Sequence, residues 1–103
     1  MRRRGVRLSE RAADDLTAIY DYVADTNPDA GGRVIKGITA KIKAIAASGL
    51  TGVSREHMKS GLRMIAVRNH LVYFRVTASH VFVLRILHGR QDISSKDFPE
   101  SET

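Results

Sequence analysis

The chain has 103 residues, 43% of them hydrophobic, which suits one compact domain with a modest core. It has no cysteine, which excludes a disulfide scaffold and thiolate chemistry, and no apolar run approaches the roughly 18 residues of a membrane span. Seventeen Lys+Arg against eleven Asp+Glu give a net charge of +6.

That excess is uneven. Met1–Arg11 holds five arginines and one glutamate, whereas the charges of Asp97–Thr103 are all acidic. A basic surface of this kind can steer toward nucleic acid or an acidic protein, but it speaks to association and not to fold. The opening MRRRGVRLSE lacks the apolar stretch of a secretory signal, so a cytoplasmic location is expected.

In chain order, Val6–Leu8 reads as a short first strand behind a basic lead. Ser9 is a good N-cap, and Ala12, Leu16, Ile19 and Val23 follow at helical spacing, with Ala13 and Tyr20 widening the stripe. Glu10, Asp14 and Asp15 occupy the end of that helix where negative charge is favourable. A helix over about Glu10 to Ala24 follows. Pro28 ends it and suits the first position of a second helix capped by Asn27.

Val34, Ile35, Ile38, Ile42 and Ile45 form the second stripe. Gly31, Gly32 and Gly37 weaken that helix by about 1 kcal/mol each, so tertiary packing must hold it. Ser48 to Ser60 loses the period and reads as loop. Leu62–Val67, His70–Val76 and His80–His88 are three strand-like runs joined by short links, hence antiparallel hairpins. The expected class is α+β, in the order β-α-α-β-β-β, with a helical hairpin packed on a mainly antiparallel sheet. The last link leaves open whether Arg75 and Arg85 share a face, because a one-residue slip reverses every side chain.

The four histidines, His57, His70, His80 and His88, have no partners at metal-ligand spacing, so no metal or cofactor is expected. Gly31-Gly32 lies inside a helical pattern without the GK[ST] of a phosphate loop, and nothing singles out a nucleophilic triad. What remains is a set of basic residues on strands: Arg63, Arg68, Arg75, Arg85 and Arg90, with His88 nearby. Such a set could grip phosphate and stabilise developing charge. On residue types alone the plainer account is solvated edge charge that keeps a small sheet from aggregating, because nothing marks a base or nucleophile.

The ordered segments RLSERAADDLTAIYDYVAD, GLRMIAVRNHLVYFRV and above all VLRILHGRQDI resemble the ParE branch of the RelE/ParE toxins of bacterial type II toxin–antitoxin systems. The resemblance runs from about Val6 to Ile93 and implies a single toxin domain over residues 1–103, with a basic lead and an acidic tail. It implies a growth-inhibiting toxin that poisons DNA gyrase and is neutralised by a ParD-like antitoxin, whose C-terminal segment folds over the helical hairpin and sheet edge. The alternative from the other branch is a ribosome-dependent mRNA endoribonuclease. Where that branch places its basic residues and late tyrosine, this chain reads Arg63, Ile65, Leu71, Arg90 and Lys96. Losing most of a set that acts as a unit argues against the nuclease and for no catalytic residue.

The antitoxin contacts expected from this reading are Tyr20, Tyr22, Leu62, Arg63, Met64 and Arg68. Arg85, His88 and Arg90 are the candidates for the target. A rearranged nuclease set would be Arg63, Arg75, Arg85, His88 and Arg90. A DNA-binding module lacks an evident recognition helix, so direct sequence-specific contact with nucleic acid is not expected.

Overall fold

A computed structural model describes residues 4–48, 52–89 and 98. Along the chain these form β1 (Gly5–Leu8), α1 (Glu10–Thr26), α2 (Pro28–Ser48), β2 (Val53–Ser54), β3 (Arg63–Val67), β4 (His70–Val76) and β5 (His80–His88). The sheet order is β1-β5-β4-β3-β2. β1 runs parallel to β5, and all other neighbours are antiparallel. The expected α+β architecture is present, extended by β2, a two-residue edge strand inside the region read as loop. Gly52 leads into it at φ 68°, and a Cβ there would lie 2.5 Å from the Met64 carbonyl oxygen.

The helix boundaries follow from the caps. Ser9 Oγ accepts the Ala12 N–H at 3.0 Å and donates to the Leu84 carbonyl at 2.7 Å, so one buried side chain both starts α1 and docks it on β5. Asn27 donates its N–H to Val23 at the end of α1, and its Oδ1 accepts from Ala30 at the start of α2. The two helices cross closely where Gly31 meets Ala24, whose Cβ would sit only 3.0 Å from an added Cβ.

Both helices cover one face of the sheet. Ala12, Ile38, Ile42, Ile45 and Ala46 pack there on Val72, Phe74, Val81, Val83 and Ile86, with Leu16, Ile19 and Val34 at the margin. Burial of each large side chain contributes about 1.5–3 kcal/mol, which offsets the glycine content of α2. Ala13 and Tyr20, expected on the apolar stripe of α1, are exposed instead. The helix meets the sheet along a narrower seam than its apolar residues suggest.

The opposite face carries a second, smaller core. Leu62, Tyr73, Leu84, Leu87 and Phe98 are buried together, with Met58, Met64 and Leu71 packed against them. Phe98 is the lid of this cluster, its ring 5.1 Å from that of Tyr73.

The β4–β5 turn and a bulge settle the open register. Thr77 donates its N–H to His80 and Val76 pairs with Val81, a turn that by itself would set Arg75 and Arg85 on opposite faces. A bulge at Leu84 then shifts the ladder and places Arg85 opposite Tyr73, and so on the face that Tyr73 shares with Arg75. The Arg75 side chain lies against Gly61, whereas that of Arg85 turns to Asp15 on α1.

Candidate functional site: a cleft between the helical hairpin and the strand ends

The two helices and the ends of β3, β4 and β5 leave a gap between them. The gap is a cleft of about 730 Å³. Ile19, Tyr22 and Val23 of α1 and Val34, Gly37 and Ile38 of α2 form one wall. Val67, Arg68, Asn69 and His70 of the β3–β4 hairpin and Ile86, Leu87 and His88 of β5 form the other. The helix wall is therefore largely apolar. The other is basic, with Arg68 and two histidines.

The sequence explains these placements locally. Val67 pairs with His70, so Arg68-Asn69 is a two-residue hairpin link, and Arg68 adopts φ 55°. That left-handed conformation costs a non-glycine residue roughly 1–2 kcal/mol. His70 pairs directly with His88 across the ladder, and their rings meet edge to face with centroids 5.7 Å apart. Burial, and then the charge of His88, hold the His70 imidazole below the ordinary histidine value.

Asp15 also lines the cleft, but its charge is already engaged. Its Oδ2 accepts from Arg85 Nε at 2.8 Å and from the Ile86 N–H at 2.9 Å, and its Oδ1 accepts from Arg85 Nη2 at 3.0 Å. β1 covers β5 only as far as Val83, so α1 closes the next stretch of that edge through Ser9 and Asp15.

Of the residues singled out from the sequence, the cleft brings together Tyr22, Arg68 and His88. Tyr22 is 83% exposed and Tyr20 40%. Leu62 is buried and Met64 half-buried in the cluster beneath Phe98, so in this chain by itself its own aromatic ring covers the place where a partner contact is expected. Arg63 is half-buried at the β2 side, where its Nη2 donates to the Gly52 carbonyl at 3.2 Å. Arg85, expected to meet a target, is buried, and its guanidinium is held by Asp15. Arg90 lies outside the described residues, as does Lys96.

The sequence reading missed His70, Asn69 and the cleft wall formed by Val34, Ile38 and Val67. Val34 and Ile38 carried a signal, because they stand on the predicted stripe of α2. What it did not show is that Ile38 is buried on the sheet while Val34, one turn earlier, is only partly covered. Among the described residues, Arg63, Arg75, Arg85 and His88 occupy four different environments and do not converge on one point. No group of three or more potential metal-ligating side chains occurs among the described residues. No described helix is long and apolar enough to cross a membrane.

The strain at Arg68 has a measurable consequence. Arg68→Gly is expected to stabilise the free chain by roughly 1 kcal/mol, because glycine enters the left-handed region without the Cβ clash. Thermal unfolding would show this as a raised midpoint. A lowered midpoint would mean that the Arg68 side chain contributes more to folding than its backbone conformation costs.

Comparison with known proteins agrees with this architecture. Residues 6–93 match the family model described as the ParE toxin of the type II toxin-antitoxin system, parDE. A solved structure described as the chromosomal ParDE TA system from P. aeruginosa is similar, with a TM-score of 0.68 and 26% identity over 82% of this chain and 95% of that one. No match was found among the curated proteins. The chain belongs to the ParE toxin family of type II toxin–antitoxin systems.

Proposed function

We propose that this chain inhibits bacterial growth by poisoning DNA gyrase in the cytoplasm, and that a ParD-like antitoxin neutralises it by seating a segment in the cleft. The observation that carries the antitoxin seat is the cleft itself: apolar side chains of α1 and α2 face strand ends across a gap beside a highly exposed Tyr22. An aromatic side chain held at the mouth of an apolar groove is a common anchor for a partner. Arg68, kept in a costly backbone conformation, stands beside it.

Gyrase as the target follows the branch of the family that the sequence resembles. It is supported by the dispersal of the basic residues, which favours recognition over catalysis. His88 and Arg90 remain the proposed target contacts, and Tyr20, Tyr22, Arg63 and Arg68 the proposed antitoxin contacts. Leu62 and Met64 would join them only if Phe98 were displaced.

The test is inducible expression in bacteria with and without the neighbouring antitoxin gene, following DNA breakage and bulk mRNA together. Early DNA damage with intact mRNA is the expected result, suppressed by the antitoxin. Early cleavage of translated mRNA with intact DNA would overturn the gyrase reading and favour the nuclease branch. In the same cells, Arg63→Glu with Arg68→Glu is expected to weaken neutralisation by roughly tenfold or more, as like-charge contacts replace attractive ones. Unchanged antitoxin affinity in a folded double variant would show that the contact face lies elsewhere.

A further inference from the structure

None of the arginines in the basic lead lines the cleft. Two of them, Arg4 and Arg7, stand instead beside an aromatic pair on the face of the sheet away from the helices. Gly5 and Arg7 of β1 pair with His80 and Phe82 of β5, and Phe82 pairs in turn with Arg75 of β4. Val81 and Val83 pack under the helices, so alternation turns His80, Phe82 and their cross-strand neighbours to the other face. Arg7, Phe82 and Arg75 thus form a row about 10 Å wide, at roughly 4.8 Å per strand spacing.

The rings are held in place by the backbone. His80 lies against Gly5, where an added Cβ would come within 2.9 Å of its Cδ2. Its ring centroid is 5.6 Å from that of Phe82, with 38° between the planes. Phe82 is half-buried and belongs to neither hydrophobic cluster, since the one under Phe98 takes up Leu84, two residues further along β5. Arg7 is exposed at its side, and among the described residues no ion pair engages it. Arg4 donates its Nε to the Thr77 carbonyl at 2.9 Å, a bond that fixes the guanidinium at the β4–β5 turn without neutralising it. Arg75 is half-buried beside Gly61 with an interaction of its own, so it borders the row while Arg7 and Arg4 supply the charge. Glu56, which accepts the Gly61 N–H, lies beyond that border.

We propose that this row binds single-stranded nucleic acid, with a base stacked on the Phe82–His80 pair and the flanking phosphates held by Arg7 and Arg4. Every base has a π-face and every nucleotide a phosphate, so the site is indifferent to sequence and needs no recognition helix. A duplex keeps its base faces stacked on one another and cannot offer one to the ring. An acidic peptide would answer the arginines and leave the rings unused. Arginines that only keep an edge strand soluble would answer any polyanion alike. The site goes beyond the gyrase reading and does not depend on the cleft.

The experiment is fluorescence anisotropy of the full chain with end-labelled oligothymidylate and oligouridylate of about 12 nucleotides. A duplex of the same length and labelled polyglutamate run beside them, over a range of salt. Single strands are expected to bind about tenfold tighter than the duplex or the polypeptide. Phe82→Leu, which keeps most of the apolar bulk, is expected to weaken single-strand binding about tenfold, and Phe82→Tyr to retain it. Arg7→Gln is expected to lower the slope of log affinity against log salt by about 0.7, the share of one phosphate on a single strand. Melting curves check that each variant folds; should Phe82→Leu fail to fold, the strand preference and Arg7→Gln decide. Preference for one oligonucleotide names DNA or RNA as the source and supports the site equally. No binding, equal affinity for all the polyanions, or an unchanged affinity in folded Phe82→Leu overturns the inference. Each of those outcomes leaves the toxin–antitoxin reading intact, because neither the antitoxin nor the cleft enters the assay.

Discussion

Asp15→Ala is expected to lower the unfolding free energy by about 3–5 kcal/mol, the largest effect of any single substitution outside the hydrophobic core. Three hydrogen bonds end on this carboxylate, two from Arg85 and one from the backbone of Ile86. Both side chains are largely withdrawn from water, at 14% exposure for Asp15 and 11% for Arg85. Removing the acid leaves a guanidinium and a backbone N–H without their partner at the edge of β5. For a domain of this size the loss corresponds to a fall in Tm of roughly 12 °C or more.

Two further variants separate charge from shape. Asp15→Asn keeps one acceptor and is expected to cost less than the alanine. Asp15→Leu combined with Arg85→Met should recover much of the loss, because replacing a whole buried pair by apolar side chains is often close to neutral. Urea unfolding of the four corners of this cycle gives the coupling between the two residues. A loss below about 1 kcal/mol for Asp15→Ala would mean that solvent reaches the pair and that its bonds contribute little. It would also remove the reason for calling Arg85 part of the fold, and return it to the candidates for the target.

Phe98→Ala is expected to cost about 3 kcal/mol, at the lower end for deleting a buried aromatic ring. Phe98 is only 4% exposed and lies on Tyr73, over the cluster of Leu62, Leu84 and Leu87. Its loss uncovers an apolar surface on the face of the sheet away from the helices. Binding of a hydrophobic dye should therefore rise as stability falls, while Phe98→Leu should retain most of the cover. If neither stability nor dye binding changes, the back-face cluster is held by other means.

The same variant decides the status of Leu62 and Met64. If the antitoxin reached them by displacing the ring, Phe98→Ala would tighten its binding. A partner seated in the cleft on the helix side would leave affinity nearly unaltered by the change.

Much of this molecule is written locally. Ser9, Asn27 and Pro28 mark where the helices begin and turn, because caps act on N–H groups within one turn of themselves. The stripes of α1 and α2 and the three strand runs were visible from periodicity for the same reason, since each records a face presented by neighbouring residues. The family was legible from the ordered set of segments, and the cleft only in part, through Tyr22, Arg68 and His88. His70 was invisible as a site residue. Its meaning depends on His88 standing opposite, and that register follows from a turn and a bulge the residue types did not specify.

The remaining features depend on contacts between distant parts of the chain. Asp15 and Arg85 are 70 positions apart in sequence. β1 finds β5 in parallel across two intervening helices, and Phe98 returns to cover Tyr73. Among the five arginines singled out on or beside the strands, nothing in the sequence alone tells the buried Arg85 from the exposed Arg68. What separates them is which one the packing of α1 places beside a carboxylate. Local residue chemistry determined the elements and their order. Only the closed fold decided which charges are satisfied inside and which stand at the cleft, because that depends on where water has been excluded.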